Sequence, residues 1–295
     1  MYDYLDLHLA SKRPVLTNRP WMIPEMLTRR ALIRLANFPL VRAISIWRAD
    51  LVFKLWSRRN PGKTYADFYV DRVEERVRDG RPHPTLGTKG YAKGQGESIV
   101  WDEQSFAGRG LDNWQQFLDL GLKPDMRCVD YGCGSLRLGQ HAIRFLDAGN
   151  YWGVDVGESF MAAGLEMLGP DLVAQKRPRL SLIDPQSIAE IGRWAPDFIL
   201  SNAVLQHVPE VELPIYFERL ATMLSTGGKA FIIFVEGEQV MRIKAASWAY
   251  PPALLDRIAK AACPQFIIQF NPVRDDYQTV AGGDRSVMMV EKVAV

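Results

Sequence analysis

The sequence predicts an α/β protein: a seven-stranded, mostly parallel sheet with helices on both faces and a C-terminal antiparallel hairpin, preceded by a helical extension. Three observations carry this. From residue 101 onward, apolar runs of strand length alternate with helical patches, the pattern of strands joined by crossover helices. The last two apolar runs follow one another across a polar loop containing Gly282-Gly283, with no helical patch between them, so an antiparallel pairing is the simpler arrangement. In residues 1–100 the apolar positions fall in helical patches punctuated by Pro and Gly, which separates an accessory region (1–100) from a main domain (101–295).

Composition agrees with a folded, water-compatible chain. Of 295 residues, 47% are hydrophobic and 24% charged, and the net charge of +2 is too small to name a partner. Cys128, Cys133 and Cys263 are few and unevenly spaced, without accompanying histidines, and so suggest neither a disulfide framework nor a zinc site. The N-terminus MYDYLDLHLA places acids where a signal peptide carries basic residues. No apolar run has the length of a membrane span. The expectation is a cytoplasmic protein without a metal.

In the accessory region, residues 26–60 hold eight Arg and Lys (Arg29, Arg30, Arg34, Arg42, Arg48, Lys54, Arg58 and Arg59) against Asp50 alone, a surplus of seven positive charges. Leu40, Ile44, Trp47, Leu51 and Leu55 recur at intervals of three and four, placing them on one face of a helix, with Pro39 separating it from a preceding helix. Two readings stand open. Either this face packs on the main domain and the arginines are solvated, or the segment is a basic amphipathic surface for an anionic membrane or an acidic partner. The segment 80-GRPHPTLGTKGYAKGQGE-97 is dense in structure-breaking residues and reads as a linker or a mobile loop that closes over a substrate.

The main domain is expected to place strands at 127–131, 151–155, 180–183, 198–201, 229–235, 265–270 and 286–293. A helix around Glu210–Leu224 ends at the Gly227-Gly228 pair. The densest chemical signal is 129-VDYGCGSLRLG-139. There a buried strand ends in an acid, Gly132 and Gly134 let the backbone turn tightly against a ligand, and a helix follows. Ligands of such sheets lie beyond the carboxyl ends of the strands. A dinucleotide fingerprint needs a third small residue where Arg137 stands, and no Lys followed by Ser or Thr marks a P-loop. Asp130 directly before the glycines suits an adenosyl ligand that carries an ammonium group and no phosphate.

This strand-acid-x-Gly-x-Gly pattern resembles motif I of class I S-adenosylmethionine (SAM)-dependent methyltransferases, with a Rossmann-like fold, and the resemblance runs over roughly residues 101–293. It implies SAM as cofactor, with Asp130, Gly132, Cys133 and Gly134 in the cofactor turn. Asp155, which lies 25 residues after Asp130, matches the acid on the ribose hydroxyls. Asp184 matches the polar position at the adenine edge, and Asn202 the position lining the methyl-donor pocket. Each has a plainer reading, since a strand-end Asp caps helices and Asn is common in turns.

Methyl transfer asks chiefly for alignment and, at a hydroxyl, for a base. His207 and Glu236 are the catalytic candidates, His207 because imidazole titrates near neutrality; His141 reads as structural. The fourth strand is followed by Ser201-Asn202-Ala203-Val204, not the Asn/Asp-Pro-Pro-aromatic signature of enzymes that methylate base or glutamine nitrogens. Cytosine C5 chemistry needs a nucleophilic Cys in the substrate pocket, whereas Cys133 sits in the cofactor turn. The expected acceptor is a small molecule or saccharide-type metabolite, methylated at oxygen, with no DNA. The alternatives are a protein or RNA acceptor guided by the basic stretch, or a SAM-binding partner subunit without turnover.

Overall fold

The structure is a computed structural model that describes residues 39–78, 110–272 and 285–294. The segment 80–97 and the part of the basic stretch before Pro39 lie outside the described residues. Two N-terminal helices, α1 (Pro39–Arg59) and α2 (Tyr65–Arg78), precede the main domain. That domain runs α3 (Leu111–Asp119), β1 (Cys128–Tyr131), α4 (Gly139–Phe145), β2 (Tyr151–Asp155), α5 (Glu158–Leu168), α6 (Pro170–Lys176), β3 (Arg179–Leu182), α7 (Pro185–Trp194) and β4 (Phe198–Asn202). It continues with α8 (Leu213–Met223), β5 (Lys229–Val235), β6 (Met241–Lys244), β7 (Ser247–Ala249), α9 (Pro252–Ala262), β8 (Phe266–Pro272) and β9 (Arg285–Lys292).

The seven-stranded sheet has the order β3-β2-β1-β4-β5-β9-β8. The first five strands are parallel, and β9 pairs antiparallel with both β5 and β8. Alternation along the strands splits the core into two layers. Val129, Tyr131, Ile199, Ile232 and Phe234 face α7, α8 and α9 through Ile188, Ile191, Phe217, Leu220 and Leu255. Phe198, Leu200, Phe231 and Ile233 face α3, α4 and α5 through Phe117, Ile143 and Met161. Burial on both faces explains why these strands read as continuous apolar runs.

Two features depart from the sequence reading. Residues 241–249 form a separate two-stranded hairpin, β6-β7, that the sequence did not signal. Residues 210–224 divide into a short 3-10 turn, Glu210–Glu212, and α8.

The N-terminal helices bear on the two readings of the α1 stripe. It does not pack on the main domain: Ile44 is 55%, Trp47 65%, Leu51 42% and Leu55 46% exposed. A different face packs instead: Phe53 and Trp56 meet Phe68 of α2, and Phe53 also meets Tyr65, with ring centroids 5.0–5.4 Å apart. The α1–α2 corner is made by Asn60-Pro61-Gly62, where Gly62 has φ +83°. A capping box then starts α2: Thr64 Oγ1 accepts from Asp67 N at 3.2 Å, and Asp67 Oδ2 accepts from Thr64 N at 2.7 Å.

Candidate active site

The site is built at the carboxyl ends of β1, β2 and β4. After β1 the chain doubles back, and Gly132 N and Cys133 N both donate to Val154 O of β2, at 2.7 and 3.0 Å. Gly132 has φ +82° and Gly134 φ +54°, a region that favours glycine. A Cβ on Gly132 would also run into Val204 Cγ2, in the loop that leaves β4. The turn is therefore shaped by hydrogen bonding to β2 and by close approach from β4.

The two acids of this end are buried. Asp155 accepts from Gly134 N through Oδ2 at 2.8 Å and from Gly157 N through Oδ1 at 3.1 Å. Burial raises its pKa and these N–H groups oppose the rise. Asp130 is 2% exposed, and its Oδ2 accepts from Tyr151 Oη at 2.9 Å. Burial pushes its carboxyl up to about 7, opposed by the Tyr151 hydrogen bond and helped by the charge of Asp155. Burial, and then Asp155 and Asp130, hold the Cys133 thiol well above its ordinary value. Cys133 is thus a neutral packing group and a poor nucleophile.

Two buried polar atoms in this cradle have no hydrogen-bond partner: Asn202 Oδ1 at the end of β4 and Ser135 Oγ in the turn itself. Such atoms are costly unless a ligand or water meets them. Orphaned acceptors beside the buried carboxylates of Asp130 and Asp155 are a donor set that fits an adenosyl ligand bearing ammonium and hydroxyl groups. Asp184 lies further out. It is exposed and caps α7, with Oδ1 accepting from Ser187 N at 2.8 Å, the plainer of its two sequence readings.

His207 closes the 3-10 turn Leu205–His207 after β4. Its Nδ1 lies 2.5 Å from the carbonyl of Ala246 in the hairpin, which makes Nδ1 the protonated nitrogen; Nε2 lies 3.2 Å from Gln206 Nε2. Tyr69 of α2 stacks on the imidazole, 6.0 Å between centroids and 27° between planes. Glu236, just past β5, is bridged to Tyr250, and its carboxylate accepts from the hydroxyl of Ser286 on β9.

The N-terminal region roofs this end. Tyr65 meets Trp248 of the hairpin edge-on at 5.2 Å, and Tyr65 N donates to Glu212 Oε1 at 2.5 Å. Val73 packs on Phe160 of α5, and Ser159 Oγ donates to Glu74. Since α5 follows β2 and His207 follows β4, α2 spans the two neighbours of β1. Sequence reasoning missed Ser135, Tyr151, Val204 and Tyr69. Ser135 was the most accessible of these, lying inside the Gly-rich motif.

The sequence profile of the methyltransferase-domain family matches residues 104–267. The chain belongs to this family. With its strand order and antiparallel β9, it is a class I SAM-dependent methyltransferase. No curated protein sequence matches it. Among solved structures, the magnesium protoporphyrin IX methyltransferase of Synechocystis with bound SAM is similar over 78% of this chain and 99% of that one, at 15% identity and TM-score 0.50. Phosphoethanolamine N-methyltransferase 2 of Haemonchus contortus is similar over 65% and 58%, at 15% identity and TM-score 0.46. A SAM-dependent methyltransferase of Methanosarcina mazei is similar over 61% and 98%, at 14% identity and TM-score 0.45. These likenesses concern the fold of the methyltransferase.

Proposed function

We propose that the methyltransferase acts on a hydroxyl of a small-molecule or saccharide-type acceptor, with His207 as the general base. The observation that supports this most is the fixed tautomer of His207. Its Nδ1–H is committed to the Ala246 carbonyl, so Nε2 is the basic nitrogen, and the Tyr69 ring holds the imidazole in place from the roof. The Synechocystis enzyme is named for a small-molecule acceptor, in keeping with an acceptor site enclosed by α2.

SAM, when bound, supplies a methyl group already activated on a sulfonium. The chain's own tasks are then binding, orientation and one proton transfer. Asp130 and the Gly132–Gly134 turn would take the ammonium end, Asp155 the ribose hydroxyls, and Asn202 and Ser135 would gain partners for their orphaned oxygens. Asp155 has to share or exchange its bonds to Gly134 N and Gly157 N to do so. Glu236 is the second candidate to touch the acceptor. The α2 roof keeps water from the reacting oxygen, and His207 Nε2 receives its proton.

His207→Ala separates donor binding from chemistry. Steady-state assays with labelled SAM and a panel of hydroxyl acceptors should show kcat/KM falling about 10²–10⁴-fold, while calorimetry shows SAM affinity unchanged within about threefold. Wild-type kcat/KM in the variant would remove His207 as the base. Folded wild-type protein binding neither SAM nor S-adenosylhomocysteine at high micromolar concentration would remove the whole reading.

A further inference from the structure

Helix α1 is apolar on two faces. One is used inside the protein, where Phe53 and Trp56 pack on α2. The other carries Ile44, Trp47, Leu51 and Leu55 at intervals of three, four and four, all exposed. Single exposed apolar side chains are ordinary, whereas four in one stripe mark an interaction surface. Their surroundings are strongly basic. Arg48, Lys54, Arg58 and Arg59 are exposed beside the stripe, and among the described residues none of these four makes an ion pair. Asp50, the one acid of α1, is engaged by Arg242 of β6, so it does not neutralise them.

We propose that this face of α1 is a docking surface for an anionic phospholipid bilayer. Trp, Leu and Ile enter the boundary between headgroups and acyl chains, while Arg and Lys reach outward along their stems to lipid phosphates. No described helix is long and apolar enough to cross a membrane, so α1 lies along the surface. Charge favours lipid over a second copy of the chain, because two such faces brought together would oppose like charges. Docking also bears on the active site. The opposite face of α1 rests on α2, whose Tyr69 covers His207, so the bilayer meets the methyltransferase on its roof.

The full-length chain is sedimented with phosphatidylcholine vesicles and with vesicles containing about one-third phosphatidylserine. Binding should be at least about tenfold tighter to the anionic vesicles and should weaken with salt. Two variants, Trp47→Ser/Leu51→Ser and Arg48→Glu/Arg58→Glu/Arg59→Glu, should each lose about tenfold or more of that binding. Both should keep the wild-type melting temperature and SAM affinity. Absence of pelleting, equal pelleting with both vesicles, or unchanged pelleting of both variants would each overturn the proposal. A concentration-dependent dimer that Trp47→Ser/Leu51→Ser converts to monomer, without vesicle binding, would assign the face to a second copy.

Discussion

The carboxyl end of the sheet is closed by two pieces of opposite physical character. The turn after β1 is held by backbone: Gly132 N and Cys133 N on Val154 O, and Gly134 N on Asp155. The α2 roof is held mostly by side chains at its margins, Tyr65 on Trp248, Tyr69 on His207, Val73 on Phe160 and Glu74 on Ser159. Moving the turn disrupts hydrogen bonding at the end of the buried parallel core. Lifting the roof gives up ring contacts and a few bonds to half-buried groups. If the proposed acceptor site lies under α2, a backbone-held donor cradle stands beside a side-chain-held cover, and their rates of opening are expected to differ accordingly.

The harshest test of the rigid cradle is Gly132→Val. The residue has φ +82°, where a β-branched side chain is strained, and its Cβ meets Val204. Strain and overpacking together should cost about 2–6 kcal/mol, with SAM affinity down at least about 100-fold. Thermal unfolding and calorimetry measure both. A variant with near-wild-type stability and binding would mean that the turn yields, and the contrast with the roof would collapse.

Asp130 sharpens the same comparison through pH. Its folded pKa is raised to about 7 by burial, while an unfolded Asp titrates near about 3.9. The contribution of this group to stability is fully present below about pH 4 and is lost as pH rises to about 7, on the order of 4 kcal/mol at most. Asp130→Asn should flatten the stability profile in that window. If bound SAM places its ammonium beside Asp130, wild-type affinity should rise with pH up to about 7, and the variant's should not. Parallel profiles for the two proteins would show that Asp130 does not titrate in this window.

What the sequence made legible follows from which forces are local. The strands at 151–155 and 229–235 match the structure at both ends, because two-sided burial writes an unbroken apolar run. Gly227, with φ +80°, marks the turn after α8 as expected. The spacing of Ile44, Trp47, Leu51 and Leu55 correctly put them on one helix face, yet spacing carries no information about what that face meets. Phe53 and Trp56, on the other side, were equally apolar. The β6-β7 hairpin escaped because MRIK and SWA are too short for a period to show. Without it, the tautomer-fixing carbonyl of Ala246 had no place in the reading. The Tyr151–Asp130 bond joins neighbouring strands, a pairing that no local pattern encodes.

The smallest expected effect tests the detachable roof. Glu212 is placed by the short turn before α8, and its Oε1 accepts from Tyr65 N in the first turn of α2. Its carboxyl is pushed up by burial and held back by the N–H groups of Tyr65 and Ala66, and an anion at that helix end also meets the favourable pole of the dipole. Glu212→Gln keeps the shape and an acceptor oxygen but removes the charge, so the loss should be about 1 kcal/mol. In a chain of 295 residues that moves the global melting temperature by no more than about 3 °C. Amide exchange across 65–78 should nevertheless accelerate about fivefold, and acceptor KM should rise with SAM affinity unchanged. A fall in SAM affinity by the same factor would show that roof and cradle open as one unit, because a cover that moves alone lets go of the acceptor without loosening the donor.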